Sequence, residues 1–160
     1  MSAVLQAVYR GDRDEAERLA EGKQLDVFEA AALGRTDRLR ELLDEDPARV
    51  NAVGDDGFHP LGLACFFGHV DTARLLLERG ADVNALARNE QIQTAAIHAA
   101  AASGDAESDE TTRYELVKLV LEHGADPNLE QGGGFRAIDA ARQNGDERVE
   151  ALLLEHGATD

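Results

Sequence analysis

Residues 61–85 decide the fold of this chain, and they read LGLACFFGHVDTARLLLERGADVNA. The first eight letters form a frame, with an aliphatic residue at the start, Ala three residues later and Gly seven residues later. The same frame occurs four more times, in residues 4–11, 27–34, 97–104 and 138–145. Self-similarity of this kind is the signature of repeat proteins, so the chain is predicted to contain five similar units.

Each unit is predicted to be a helical hairpin. Leu61, Ala64 and Cys65 are spaced i, i+3 and i+4, which gives a narrow apolar helical stripe whose small residues let another helix approach. Gly68 then relaxes the left-handed turn that ends this helix. The second part, ARLLLERGADVNA, indicates a leucine-rich second helix and recurs in residues 117–129, 150–160 and, more loosely, 38–52. One hairpin cannot bury its apolar face alone, so neighbours must stack.

The turns within the hairpins carry two further signals. Asp12, Asp105 and Asp146 each follow a closing glycine directly, where a carboxylate is predicted to cap the second helix. About eight residues, roughly 106–113, are added between the two helices of the fourth hairpin. We expect them to form a lengthened solvated turn or extra helical turns, and a separate docking loop is the alternative.

Three segments carry a resemblance to a known family: DGFHPL at 56–61, LLERGADVN at 76–84 and EHGADPN at 122–128. They resemble ankyrin repeats, units of about 33 residues with two helices, a β-turn and the pattern T-P-L-H-x-A. The resemblance covers essentially the whole chain. It implies an all-α ankyrin-repeat solenoid of about five helix-turn-helix units with short β-turn fingers. HPLG at 59–62 departs from the pattern, because the usual Thr and the usual His are both missing.

The resemblance also implies how the chain divides. We expect a single ankyrin-repeat domain, 1–160, with an N-terminal cap hairpin at 1–25, repeats at 26–53, 54–86 and 87–129, and a C-terminal repeat or cap at 130–160. Too few residues separate the cap from the first repeat to form a finger there. Three fingers are therefore expected, the first near 53–58, the second near 85–96 and the third near 130–135.

Partners of ankyrin-like stacks usually meet the fingers and the exposed side of the first helices, which form a concave surface. Carried over residue by residue, this implies nine partner-binding candidates: Tyr9, Asp55, Asp56, Phe58, Phe66, Phe67, Arg88, Ile92 and Phe135. The two residues before each closing glycine, among them Ala32 and Ser103, are expected to face the same concavity. The second finger, ALARNEQIQTAA, is longer than its counterparts and is favoured as a specificity element.

Aromatic side chains concentrate on this expected binding surface. The chain has five Phe, two Tyr and no Trp, and five of these seven aromatics are among the candidates. Since partner hot spots favour large rigid side chains, the pattern indicates an interaction site centred on Phe58, Phe66 and Phe67. The alternative is that Phe66 or Phe67 covers the root of its own finger. Phe28 and Tyr114 occupy packing positions and are predicted core residues.

The charge of the chain limits its partners. Asp and Glu total 32 against 16 Lys and Arg, which gives a formal net charge of −16. Such a field repels nucleic-acid phosphates and anionic lipid headgroups, so neither nucleic acid nor a membrane surface is expected. A basic partner protein would be attracted, with electrostatics acting mainly on the association rate. The alternative is that these carboxylates are solvated helix faces that keep the protein soluble.

The sequence lacks the residue spacings typical of catalytic, metal and cofactor sites. The histidines lack H-E-x-x-H or paired Cys/His spacing, and His123 and His156 occupy equivalent repeat positions. Cys65 replaces a packed small residue and is predicted to be a buried thiol. The run GGG at 132–134 lacks the Lys and the strand of a phosphate loop and is predicted to turn a finger tip. No enzyme activity, metal or cofactor is expected.

The sequence thus predicts a non-catalytic module that binds another protein through its concave face and fingers. Stacked hairpins present a pre-organised surface, so little ordering entropy opposes association. An acidic inhibitor or immunity-type protein that blocks a basic protein site is the alternative. With one cysteine and charges in its first residues, the chain is expected in the cytoplasm. A monomer is expected, and a homodimer that buries the aromatics is the other possibility.

Overall fold

The computed structural model describes residues 1–103 and 110–160. Within them the chain forms ten α-helices and a short 3₁₀-helix at Pro47–Asn51. The α-helices are α1 Ala3–Tyr9, α2 Arg13–Ala20, α3 Val27–Leu33, α4 Thr36–Glu45, α5 Pro60–Phe66, α6 Val70–Glu78, α7 Ala96–Ala102, α8 Glu110–Glu122, α9 Ala137–Asn144 and α10 Glu147–Glu155.

The helices stack as a linear series of hairpins. Each odd-numbered helix packs on the even-numbered helix that follows it. The first helices α1, α3, α5, α7 and α9 pack in succession, and α4, α6, α8 and α10 form a second row. The predicted all-α solenoid of about five helix-turn-helix units is therefore confirmed. Its division into caps and repeats at the stated residues stays a prediction.

Glycines and aspartates set the ends of the helices. Gly34 and Gly145 end α3 and α9 in the left-handed conformation, with φ of 69° and 67°, as predicted for closing glycines. Asp12 and Asp146 each accept a hydrogen bond of 3.1 Å from the backbone N–H three residues later, which confirms them as caps of α2 and α10. Asp105 lies outside the described residues.

Part of the predicted addition in the fourth hairpin is helical. α8 has 13 residues, whereas α6 and α10 each have nine. The difference is about one helical turn. Residues 110–113 thus belong to an extended α8, while 106–109 lie outside the described residues. Arg113 in this added turn contacts Asp146, which is 3% exposed, at 3.1 Å and so ties α8 to the start of α10.

The core runs along the solenoid between the two rows of helices. Its largest fully buried side chains are aliphatic and come from both rows: Leu39, Leu43, Leu76, Ile97, Leu116, Ile138 and Leu153. A smaller cluster of Leu5, Ala31, Ala32 and Leu63 lies among the N-terminal first helices. The expectation that Ala32 and Ser103 face the concavity is wrong, because both are buried, at 2% and 0% exposed. Ala32 is covered because α1, α3 and α5 pack closely.

Asparagines hold the last four hairpins to one another, one at each of their three junctions. The Asn51 side chain donates to Gly80 O at 3.3 Å and accepts from Asp82 N at 2.8 Å. Asn84 repeats this one unit later with Gly124 and Asp126, at 3.1 and 2.8 Å. Asn128 repeats it once more with Gly157 and Thr159, at 2.9 Å each. Each amide satisfies a carbonyl and an N–H at the end of the following hairpin, so the spacing between hairpins is fixed by directed bonds as well as by packing.

Candidate protein-binding surface

Three fingers project between the hairpins. Each is closed by a backbone hydrogen bond: Gly54 N to Phe58 O at 3.0 Å in the first, Ala87 N to Thr94 O at 2.8 Å in the second, and Gln131 N to Phe135 O at 2.9 Å in the third. GGG at 132–134 lies at the tip of the third finger, as predicted, with Gly133 and Gly134 at positive φ.

The first and second fingers are bonded to each other. Arg88 N donates to Gly57 O at 2.8 Å, and the Asn89 side chain donates to Asp56 O at 2.8 Å. A Cβ atom on Gly57 would lie 2.3 Å from Arg88 O, and Gly57 has φ of 86°. Only glycine allows this approach, so Gly57 is a structural requirement for the paired fingers.

A groove of about 500 Å³ runs between the fingers and the first helices. It extends from Tyr9 of α1, past Phe58 and Phe66, to Phe135 and Ala140 near the C-terminal hairpin. Its floor includes small residues of the first helices, Gly62 of α5 and Ala99 and Ala102 of α7. Of the narrow stripe predicted for α5, Leu61 lines the groove, whereas Ala64 and Cys65 are buried in the core. Most of its lining is apolar, and such pockets bind apolar side chains of ligands.

Four aromatic residues, Tyr9, Phe58, Phe66 and Phe67, form what we call the aromatic patch. The ring of Tyr9 lies 6.4 Å from that of Phe58 and 5.9 Å from that of Phe67. Phe66 and Phe67 meet edge to face at 5.0 Å. Phe66 is 46% exposed and lines the groove, whereas Phe67 is half-buried against the smaller cluster. Phe67 therefore anchors the aromatic patch to the smaller cluster, and Phe66 is the exposed part of the patch.

Tyr9 joins this patch although it lies far from it in the sequence. Its hydroxyl donates a hydrogen bond of 2.6 Å to Asp56 of the first finger. Burial, together with this bond and the charge of Asp56, raises the pKa of Tyr9. Tyr9 thus reaches across the α3/α4 hairpin, which has no finger of its own in front of it. Sequence analysis had grouped the three phenylalanines, and the contact with Tyr9 depends on the stacking geometry.

The remaining candidates spread along the same surface. Ile92, 48% exposed, and the half-buried Phe135 line the groove on the second and third fingers. Asp56 lines it as well and is held by Tyr9. Asp55 and Arg88 are exposed on the first and second fingers outside the groove lining. The structure thus brings Asp56 and the aromatic patch together, and it places Asp55 and Arg88 at the rim.

Phe28 and Tyr114 lie in packing positions, as predicted. Both are half-buried and pack against the main core, and Phe28 also contacts the smaller cluster. The guanidinium of Arg148 sits over the Tyr114 ring at 4.4 Å from its centroid, a cation–π contact between α8 and α10. Neither aromatic belongs to the surface of the groove.

The third residue of the first helices differs from hairpin to hairpin. In α3, α7 and α9 it is Glu29, His98 or Asp139, and its side chain accepts a hydrogen bond of 2.9 to 3.0 Å from the N–H of the residue before the helix. In α5 this residue is Gly62, which has no side chain to do so. Because HPLG at 59–62 places Gly62 at this position, α5 lacks the side-chain cap and the groove lacks the side chain that α3, α7 and α9 have there.

His98 and Glu29 are buried ionisable residues in this set. Burial lowers the pKa of His98, although donation from its Nε2 to Leu129 O at 2.7 Å partly opposes this. Its Nδ1 accepts from Ala95 N–H, so the ring is the neutral tautomer. For Glu29, burial acts to raise the pKa, but hydrogen bonds headed by that from Lys23 outweigh it and leave the pKa below its usual range.

The residues considered for metal or nucleophilic chemistry have structural contacts. His123 and His156 make the same bond, from Nδ1 to the carbonyl four residues earlier at 2.9 Å. Cys65 is buried as predicted, and burial raises the pKa of its thiol to about 12. Among residues 1–103 and 110–160, no three His, Cys, Asp or Glu side chains are grouped to hold a metal ion. Over the same residues no helix has the length and apolar character needed to span a bilayer.

Comparison with known proteins points to one family. Residues 4–87 match the family described as "Ankyrin repeats (3 copies)", and residues 94–130 match "Ankyrin repeat". "Ankyrin repeat and SAM domain-containing protein 6" of Rattus norvegicus is 32% identical over 135 residues, which is 84% of this chain and 14% of that protein. "E3 ubiquitin-protein ligase Ufd4" of Drosophila melanogaster is 31% identical over 76% of this chain and 4% of its own length.

A shorter match is found with "DNA-binding protein RFXANK" of Homo sapiens, which is 40% identical over 42% of this chain and 26% of its own length. The chain thus spans a small share of each of these relatives, 14% of the rat protein. Because the first family match alone covers more than half of the residues, and the helices stack in consecutive hairpins, the chain belongs to the ankyrin-repeat family.

Proposed function

We propose that this chain is a non-catalytic protein-binding module that holds a partner protein in the groove and on the three fingers, with the aromatic patch as its energetic centre. Ankyrin repeats generally mediate protein–protein interactions, and the family is typically non-catalytic.

One observation carries this proposal. Among the described residues, seven large hydrophobic side chains are markedly exposed, and six of them lie on the fingers or in the groove: Met1, Tyr9, Val53, Phe66, Leu86 and Ile92. Leu154 of α10 is the seventh. Exposed apolar side chains gathered on one surface mark an interaction site, whereas isolated ones need no explanation.

The arrangement of the aromatic patch supports the same conclusion. Phe66 packs edge to face on Phe67, and Phe67 in turn packs against Tyr9, which also lies beside Phe58, so the side chain of Phe66 is held before any partner arrives. Pre-organised aromatic side chains lose little conformational entropy on binding. Partner hot spots are typically of this kind, a central aromatic anchor surrounded by residues that exclude water.

The experiment compares matched variants. Phe66→Ala removes an exposed anchor at the centre of the surface, and Leu154→Ala removes a comparably exposed side chain, 42% against 46%, on α10. Affinity purification from the source cells is expected to recover a protein with wild type and Leu154→Ala that Phe66→Ala does not retain. Recovery of the same proteins by all three baits would contradict the proposal.

A second candidate is an acidic inhibitor that blocks a basic protein site, and the net charge of −16 is the observation in its favour. Such an inhibitor would bind through carboxylates instead of the aromatic patch. Its affinity for the purified partner would fall steeply with added salt and would be unchanged by Phe66→Ala. A loss of more than about 2 kcal/mol for Phe66→Ala would favour the aromatic anchor instead.

A further inference from the structure

Gly62 leaves a notch in the floor of the groove. It lies one helical turn before Phe66 on the same face of α5, and Ala99 and Ala102 of α7 line the groove with it. A Cβ atom built on Gly62 would meet no heavy atom within 4 Å. Phe66 and Ile92, about half exposed, stand above this floor. The notch therefore has room for a side chain that the chain itself does not supply.

The rim of the groove is acidic. Asp55, Glu90 and Glu130 are exposed, one on each finger, and Asp56 and Asp82 line the groove. The opposing charges are Arg88 of the second finger, Arg136 in the lining and the N-terminal ammonium of Met1, which lies 3.4 Å from Asp55, so carboxylates outnumber cations. The whole chain carries −16, so a second copy would bring like charge against this rim. A segment with Arg or Lys would instead meet opposite charge there.

We propose that the Gly62 notch receives a large apolar side chain of a partner protein, presented on a segment whose neighbouring residues are Arg or Lys. This inference rests on the proposed function and names the chemistry of the partner that the groove takes. The anchor fills the floor beside Phe66, and the basic neighbours face the carboxylates of the fingers.

A phage-displayed library of random linear peptides, selected on the wild-type protein, provides the probe. Selected peptides are expected to share a large apolar residue flanked by Arg or Lys. One of them is then synthesised with its apolar residue intact and replaced by Ala, and both forms are titrated by fluorescence polarisation. Gly62→Leu, which fills the notch, is expected to lower the affinity for the intact peptide at least about 10-fold.

Two control variants keep this result specific. Glu78→Leu adds the same side chain at an exposed position of α6 outside the groove and is expected to leave affinity unchanged. Gly62→Ala is expected to raise the melting temperature, because Ala is favoured over Gly in a helix, while it lowers affinity. Gly62→Leu and the Ala-substituted peptide are expected to be non-additive, since both remove the same contact.

Four other results would overturn the inference, each for a different reason. If Phe66→Ala weakens binding of the selected peptides and Gly62→Leu does not, the notch is not the anchor site and the proposed function stands. Selected peptides that are acidic or lack an apolar residue would contradict the stated partner chemistry. A wild-type dimer that Gly62→Leu dissociates in light scattering would assign the notch to a second copy. If no peptide is enriched, the inference fails, whereas the proposed function is decided by the affinity purification with Phe66→Ala.

Discussion

Gly57 shows how much of the surface depends on single backbone positions. Its φ of 86° and the 2.3 Å approach of Arg88 O to a Cβ atom at this residue make any side chain unfavourable on two counts. Gly80 provides a matched comparison, because its φ of 91° is similar but a Cβ atom there would meet nothing within 4 Å. Comparing substitutions at the two glycines therefore separates the cost of the backbone conformation from the cost of disturbing the contact between the fingers.

We expect Gly80→Ala to lower the free energy of unfolding by about 1 kcal/mol, the cost of a left-handed residue with a side chain. Gly57→Ala is expected to cost about 1 to 2 kcal/mol more, because the fingers must also separate. Urea unfolding followed by circular dichroism measures both. Equal losses for the two variants would show that the Arg88 N–H to Gly57 O bond contributes little.

His98 makes stability depend on pH. Its pKa is lower in the folded protein than the ordinary 6.5, because burial disfavours the charged ring, so the unfolded chain binds a proton that the folded chain excludes. Stability contributed by neutral His98 is therefore present above pH 6.5 and is lost as the pH falls through that value, by at most about 1.4 kcal/mol per pH unit.

The measurement is urea unfolding at pH values on either side of 6.5 for wild type and His98→Gln. We expect wild type to lose more stability than the variant on acidification, whatever the absolute stability of the variant. The difference between the two slopes isolates this histidine from the carboxylates, which are common to both proteins. Parallel slopes would mean that His98 is protonated as readily in the folded chain as in the unfolded chain.

At the scale of the elements, the asparagine clamps are the features that hold one hairpin to the next. Asn84 sits in the middle of the series and bonds to both Gly124 O and Asp126 N. Asn84→Ala is expected to lower the free energy of unfolding by about 1 to 3 kcal/mol, because it removes two hydrogen bonds to the next hairpin, each with a net contribution of about 0.5 to 1.5 kcal/mol. Chemical denaturation of wild type and Asn84→Ala measures this difference in the free energy of unfolding.

Asn84→Asp is the matched variant, since it keeps the acceptor for Asp126 N–H and replaces the donor to Gly124 O with a carboxylate oxygen. Its free energy of unfolding is also expected to be lower than that of wild type, because the carboxylate oxygen and Gly124 O are both acceptors and then face each other. A wild-type stability for Asn84→Asp would show that the bond to Gly124 is not needed, and that the acceptor alone holds the hairpins.

Most elements could be predicted from the sequence because their signals are local. Closing glycines such as Gly34 and capping aspartates such as Asp12 act within one helix turn, so their spacing alone locates the helix ends. The asparagines at 51, 84 and 128 also recur with the repeat, and this recurrence could have indicated the clamps.

The candidate site was less accessible to sequence reasoning. Phe66 could be placed on the surface from repeat position alone, and its exposure of 46% agrees. The burial of Ala32, the contact of Tyr9 with Asp56 and the notch at Gly62 depend on how close the first helices approach each other. That distance is a property of the stack and is not encoded in any one unit.

At the scale of the whole molecule, the net charge of −16 acts on every hairpin. The ion pairs are mostly exposed, as with Arg40 and Asp37 or Arg74 and Asp71, and such pairs contribute little to stability. We expect the melting temperature to rise on going from about 10 mM to about 0.15 M NaCl, because the Debye length falls from about 30 Å to about 8 Å and screens the repulsion.

Differential scanning calorimetry at low protein concentration measures this shift. Arg74→Glu, which makes an exposed position on α6 more acidic, is expected to enlarge the stabilisation by salt, and Glu78→Arg on the same helix to reduce it. A melting temperature that falls with added salt would show that the exposed ion pairs outweigh the repulsion.

The bond from Tyr9 to Asp56 changes how the N-terminal end of the array behaves. In a linear array each unit touches its neighbours only, and the outermost one opens most easily. Here Tyr9 of the first hairpin is hydrogen-bonded to Asp56 of the first finger, which precedes the third hairpin, and the α3/α4 hairpin lies between them. When the bond between Tyr9 and Asp56 breaks, α1 is released and the aromatic patch beneath Phe66 loses Tyr9 in the same event. The partner-facing surface and the N-terminal end of the stack therefore open and close together.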